Sequence, residues 1–203
     1  GYYAFRYCTS LETVTIGNSV TSIGEDAFRY CTSLIDVYYS GDIADWCGIT
    51  FYNSSSTPMC YADNLYIGGK LVEGKLVIPS GITSIYPSAF YGCSGITSVT
   101  IPDSVESIGL CAFAYCTALT SITIPDRVNA IGMSAFRGCT GLKEAIIGDG
   151  LTSIEYGVFS NCTNLEYIHI SANVQSIDSG AFSDKCFYIC SETDDCYAKT
   201  YAD

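Results

Sequence analysis

The sequence predicts a β-rich, right-handed solenoid in which each short coil adds one strand to a parallel sheet. Three observations carry that expectation. The motif I-P-D-x-V-x-x-I-G-x-x-A-F-x-x-C-T-x-L-x-x-I occurs nearly twice within residues 101–142. Its phenylalanine recurs at Phe5, Phe28, Phe90, Phe113, Phe136, Phe159 and Phe182, in steps of 23, 62, 23, 23, 23 and 23 residues. A fixed period in the twenties with leucine-rich spacing marks stacked units, none of which buries its own apolar face alone. Within each unit, V-T-I and V-T-S-I alternate apolar and small polar residues with the period of a strand.

Residues 1–34 hold the end of one repeat and one full repeat, with Leu11, Val14, Ile16, Val20, Ile23, Ala27, Phe28 and Leu34 at core positions. The I-G-x-x-A-F-x-x-C segment that follows each strand is expected to form a short helical or 3₁₀ turn on the opposite side. Gly24, Gly109 and Gly132 suit a sharp turn or a positive φ there, and Pro79, Pro102 and Pro125 end ladder pairing after the strand. Residues 38–75 break the period, and an insertion of this kind is expected to leave the solenoid as a loop. Within it, residues 42–47 suit a short helix with Asp42 near its start, and residues 53–58 a polar loop. Residues 65–72 suit a hairpin around Gly68 and Gly69. Trp46, the sole tryptophan, either caps the gap left by the irregular coil or stands out as a contact.

Residues 76–177 form the regular array, with strands expected at 76–78, 99–101, 122–124, 145–147 and 168–170. After Phe182 the motif decays. Residues 187–189 suit a last strand, and 194–202 have helical composition with acidic residues at the start, so 187–203 read as a C-terminal cap. The whole of 1–203 reads as one continuous repeat domain. Because Gly1 to Phe5 begin in mid-repeat, the chain is expected to be a piece of a longer protein.

Composition narrows the function classes. The chain has nine basic residues and a net charge of -12, which argues against nucleic acid or an anionic membrane surface as partner. No apolar run approaches the length of a membrane span. Twelve cysteines suggest disulfides at first sight, but Cys8, Cys31, Cys93, Cys116, Cys139 and Cys162 each fall three residues after the motif phenylalanine. Stacked coils would separate them by roughly 4.8 Å, wider than the Cβ spacing of about 3.8 Å that a disulfide needs. They read as a buried, reduced ladder. Cys47, Cys60, Cys111, Cys186, Cys190 and Cys196 are irregular, and pairing among them stays open.

The repeat I-P-D-x-V-x-x-I-G-x-x-A-F-x-x-C-x-x-L resembles that of the BspA-like leucine-rich-repeat proteins, in phase over almost the whole chain. The segment from Tyr38 and Tyr39 through Trp46 and Cys47 to Leu65, Tyr66 and Ile67 is similar to a cassette found within such proteins. The resemblance implies a leucine-rich-repeat solenoid and an extracellular or cell-surface setting. It also implies a modular role in adhesion, with a protein such as a host matrix component as partner. The family's repeat residues are structural, so the resemblance supplies no catalytic position, cofactor or metal ligand.

If the strands make the concave sheet, period two points Asp36, Tyr38, Ser98, Thr100, Ser121, Thr123, Glu144, Tyr167 and His169 outward. Short hydroxyls fill the middle and larger polar or aromatic groups the two ends. This face is the candidate ligand surface, beside Trp46 in the insertion; a solvated sheet of ordinary threonine propensity is the bland alternative. His169, the single histidine, has no nucleophile or ligand set around it in the sequence. Asp103, Asp126 and Asp149 recur after the strands as turn residues and are too few per coil for calcium. Tyr7, Tyr30 and Tyr115 either pack along the coil edge or form an exposed stripe beside Arg6 and Arg29. The expected function is a non-enzymatic protein-interaction or adhesion module. A structural spacer and a glycan-binding module remain the alternatives.

Overall fold

Alternation along each strand decides which side chains enter the solenoid. The computed structural model describes residues 1–182 and the strand Phe187–Cys190. Strands Thr13–Ile16, Asp36–Tyr39 and Asn64–Ile67 pair in parallel, with Thr13 opposite Asp36 and Asp36 opposite Asn64. The antiparallel strand Lys70–Leu71 then ends this sheet. A second parallel sheet begins at Gly74–Val77 and continues through Ile96–Thr100, Ser121–Ile124, Glu144–Ile147, Tyr167–Ile170 and Phe187–Cys190. All five strands expected in the regular array are present, each starting one to three residues early. The expected last strand is present too, while the helix expected at 194–202 lies outside the described residues.

The motif phenylalanines stack through the centre. Phe90, Phe113, Phe136, Phe159 and Phe182 lie with ring centroids 5.3, 5.5, 5.4 and 5.7 Å apart and nearly parallel planes. Four of the five are fully buried, and each such side chain contributes roughly 1.5–3 kcal/mol by leaving water. On the opposite side of the coils, two-residue strands such as Ser84–Ile85, Ser107–Ile108 and Ala130–Ile131 make a second narrow parallel ladder. The isoleucines there are buried in the same core as the phenylalanines.

The segment around each phenylalanine from Phe5 to Phe159 is not a helix. Its amide groups alternate in direction. Ala112, Ala114 and Cys116 donate to the carbonyls of Gly109, Cys111 and Phe113 within their own coil, closing single turns. Cys111, Phe113 and Tyr115 donate to Met133, Ala135 and Arg137 of the next coil. Left-handed residues two before and two after the phenylalanine turn the alternate amides outward, as at Cys111 (φ 54) and Tyr115 (φ 63). A helix would direct every amide back along its own axis; here half of them join the coils.

The motif glycines open a tight turn, as Ala112 and Ala135 donate to the carbonyls of Gly109 and Gly132, but they do so without a positive φ. Gly109 and Gly132 are not among the positive-φ residues. A Cβ on Gly109 would sit 2.5 Å from the Pro87 nitrogen and 2.8 Å from its Cα, and one on Gly132 would collide with the Leu110 backbone. Glycine at this position lets consecutive coils approach.

The insertion does not leave the solenoid as a loop. It forms a longer coil in register, so that Asp36 and Asn64, 28 residues apart, stand side by side. Asp42 caps the helix Ile43–Cys47 by accepting from the Asp45 amide. The expected hairpin closes through Gly68 (φ 55) and Gly69 (φ 77), the dihedral signs of a type I′ turn. Trp46 is fully buried, packs against Tyr39 and Phe51, and donates from Nε1 to the Ala89 carbonyl at 2.6 Å. This corrects its place among the contact residues: its indole fills the core of the irregular coil and ties it to the next one.

Candidate binding face

Parallel pairing in register turns the outward residues into two columns. One column runs Thr13, Asp36 and Asn64 in the first sheet, and Lys75, Ser98, Ser121, Glu144 and Tyr167 in the second. The other runs Thr15, Tyr38 and Tyr66, then Val77 and Thr100, with Thr123, Ile146 and His169 further along. Thus all nine sheet residues expected on this face share it, but not as one continuous site. Asp36 and Tyr38 belong to the first sheet and the other seven to the second.

Each end of the face has its own chemistry. At one end the Asn64 side-chain amide donates to Asp36 Oδ1 at 2.9 Å. Beside it the Tyr38 and Tyr66 rings stack at 4.6 Å. Burial, with the Asp36 carboxylate near, pushes the Tyr66 hydroxyl above its ordinary pKa. At the other end His169 Nε2 lies 3.9 Å from Glu144 Oε1, both half exposed, and Tyr167 stands 49% exposed beside them. Serine and threonine hydroxyls occupy the stretch between. Asn64 and Tyr66 were missed by sequence reasoning, although N-L-Y-I alternates as D-V-Y-Y does.

A second surface lies along the phenylalanine turns. Tyr7 and Tyr30 stack at 4.8 Å, Arg6 lies over the rings of Tyr3 and Tyr7 at 5.0 and 5.1 Å, and Arg29 lies over Tyr30. These rings are exposed, Tyr7 at 61%, so the stripe packs along the coil edge and faces solvent at once. Arg29 is anchored 2.8 Å from Asp26. That guanidinium, with help from Asn53, holds the Asp26 carboxyl below its usual range.

The chain matches the BspA type leucine rich repeat region over residues 1–72 and 70–191, in six copies. It belongs to the BspA-type leucine-rich-repeat family. Among solved structures, it is 27% identical to a leucine-rich repeat protein of Bacteroides ovatus, with a TM-score of 0.54. That match covers 88% of this chain and 42% of the other. A leucine-rich repeat protein of Eubacterium ventriosum is 19% identical with a TM-score of 0.58, over 83% of this chain and 48% of the other. The chain therefore spans less than half the length of either. Among curated proteins, none matches.

In this BspA-type array the motif cysteines are free thiols, and Cys31, Cys93, Cys116, Cys139 and Cys162 are buried. Cys8 departs from the expected buried ladder: it is exposed on the first coil described. Cys47, Cys60 and Cys111 are also free, and burial pushes the Cys47 thiol up to about 12. The side chains of Cys186, Cys190 and Cys196 lie outside the described residues. The recurring aspartates act between coils, as Asp126 Oδ1 accepts from the Asp149 amide and Asp149 Oδ1 from the Ser171 hydroxyl. Among the described residues no three metal-ligating side chains are grouped to hold an ion, and no helix is long and apolar enough to cross a membrane.

Proposed function

We propose that this BspA-type array is a non-enzymatic protein-binding module acting at or outside the bacterial surface, through the outward face of its sheets. The observation that supports this reading most is the stacked Tyr38–Tyr66 pair beside the Asn64–Asp36 hydrogen bond. Tyrosines held by a partner ring lose little freedom on binding, and each offers an apolar body with a polar tip. Tyr167, His169 and Glu144 provide a second anchor of the same kind across a hydroxyl-rich floor. An extended partner reaching both anchors gains by linking them.

The test is binding of the chain to an array of host matrix proteins and glycans, beside a variant with Asp36, Tyr38, Tyr167 and His169 changed to alanine. Specific protein binding that vanishes in the variant supports this face. Undiminished binding rejects it.

The exposed Tyr7 and Tyr30 rings beside the half-buried Arg6 favour a second reading, capture of glycans, because aromatic rings beside a guanidinium suit sugar faces and acidic substituents. Glycan binding that survives the four-residue variant but is lost on Tyr7→Ala with Tyr30→Ala would establish it.

A further inference from the structure

The main sheet is interrupted once among the described residues, where the Lys70–Leu71 strand ends one sheet and Gly74–Val77 begins the next. Each of these strands is paired on one side only. Gly74 and Ile78 donate to Gly95 and Thr100 of the neighbouring coil. Two-residue alternation then turns the amides and carbonyls of Lys75 and Val77 the other way. In the hairpin, Val72 donates to Leu65 and Lys70 stands opposite Ile67, so the backbone groups of Leu71 also face away from their partner strand. No backbone or side-chain hydrogen bond among the described residues engages these groups of Leu71, Lys75 or Val77.

Both edges line the same cleft of about 240 Å³, floored by the buried side chains of Ile67 and Leu76 with Ile43 behind them. A second cleft of about 260 Å³ continues at the other end of the hairpin, from Leu71, Val72 and Glu73 to Ser94 and Gly95. Lys70 and Lys75 stand exposed at the rim, and neither makes an ion pair among the described residues. With Glu73 the only acidic residue in the lining of the first cleft, the two lysines leave it net positive on a chain of net charge -12, a local site for acidic groups.

We propose that this seam captures an extended segment of a partner protein as an added strand. The segment hydrogen-bonds to Lys75 and Val77, with Leu71 as the facing wall. Its alternate side chains are apolar toward Ile43, Ile67 and Leu76, and acidic toward Lys70 and Lys75. An exposed strand edge is a template for pairing, and edge lysines deter strands that do not neutralise them. The seam therefore selects an alternating apolar–acidic sequence. It needs neither tyrosine anchor of the outward face, so it stands apart from the reading above.

The probe is a short alternating valine–glutamate peptide, with two versions N-methylated at alternate amides, one for each edge. Calorimetry is expected to show binding that at least one methylated version weakens about tenfold or more, because side chains are kept and only ladder donors are lost. Amide exchange at Leu71, Lys75 and Val77 slows with peptide bound. The exposed double change Lys70→Glu and Lys75→Glu leaves the fold in place and shifts preference from valine–glutamate to valine–lysine peptides. The proposal is overturned by absence of binding at millimolar peptide, by binding indifferent to N-methylation, or by protection confined to other residues. Concentration-dependent self-association through the seam that excludes the peptide also overturns it.

Discussion

Cys139 donates its thiol hydrogen to the carbonyl oxygen of Phe113 in the preceding coil, 3.2 Å away. The same bond joins Cys31 to Phe5, Cys116 to Phe90 and Cys162 to Phe136. The motif cysteine is thus more than a small hydrophobe. It gives a second donor, from the next coil, to a carbonyl that already accepts an amide within its own turn, as Phe113 does from Cys116, and it does so only as a thiol. Cys139→Ala is expected to cost about 0.5–1.5 kcal/mol, since the Phe113 carbonyl loses one of its two donors and a small void is left. Urea unfolding measures it, and a change within error of zero would remove the thiol from the list of coil-to-coil bonds. In the native chain, alkylation followed by mass spectrometry should label Cys8 ahead of Cys31, Cys93, Cys116, Cys139 and Cys162.

Burial also makes these thiols a source of alkaline sensitivity. It pushes Cys93 from an ordinary 9.0 up to about 12, and Cys47 likewise. Between those values the folded chain keeps protons that the unfolded chain has released, so stability falls as pH rises. Below the lower value both states are protonated and nothing changes. Each thiol contributes a loss of roughly 1.4 kcal/mol per pH unit inside the window. Unfolding free energies measured across that range should fall, and Cys93→Ala should make the slope shallower by about one thiol's share.

Close approach of coils at the motif glycine sets a third expectation. Gly132→Ala forces a methyl group into the Leu110 backbone, and overpacking of this kind costs about 1–3 kcal/mol. Gly17→Ala is the control, because a Cβ there meets nothing within 4 Å. Thermal melts of the two variants should separate clearly; equal melting temperatures would mean that the coils spread apart at little cost.

The phased phenylalanine made strands, inward residues and outward columns legible, because burial in a repeat is periodic and periodicity survives in the residue types. The turns were not legible in the same way. Their left-handed positions are occupied by Tyr30, Tyr115, Asp26, Cys111 and Asn161 as well as by glycines, so residue type does not flag them. The irregular coil was hidden by its length: the Asn64–Ile67 strand pairs 28 residues after its neighbour, outside the period that identifies the others. Reading its residues as a hairpin alone concealed Asn64 and Tyr66 on the binding face. The seam was invisible for a related reason, since unpaired backbone edges depend on which strands meet and not on their side chains.

Trp46 offers a direct check on the irregular coil. Its ring is fully buried and its Nε1 donates to Ala89, 43 residues further on, so the indole spans from the insertion to the first regular coil. Its fluorescence is expected to be blue-shifted and resistant to iodide in the native chain, and to become red-shifted and quenchable on unfolding. Trp46→Phe removes the donor and leaves space beside Tyr39 and Phe51, a loss of about 2–4 kcal/mol. Because the contact joins the two halves of the array, the variant should also unfold less cooperatively, the 1–72 portion melting ahead of the regular coils. Native emission already open to iodide would show that the indole leaves its place in the core, and would return Trp46 to the contact surface.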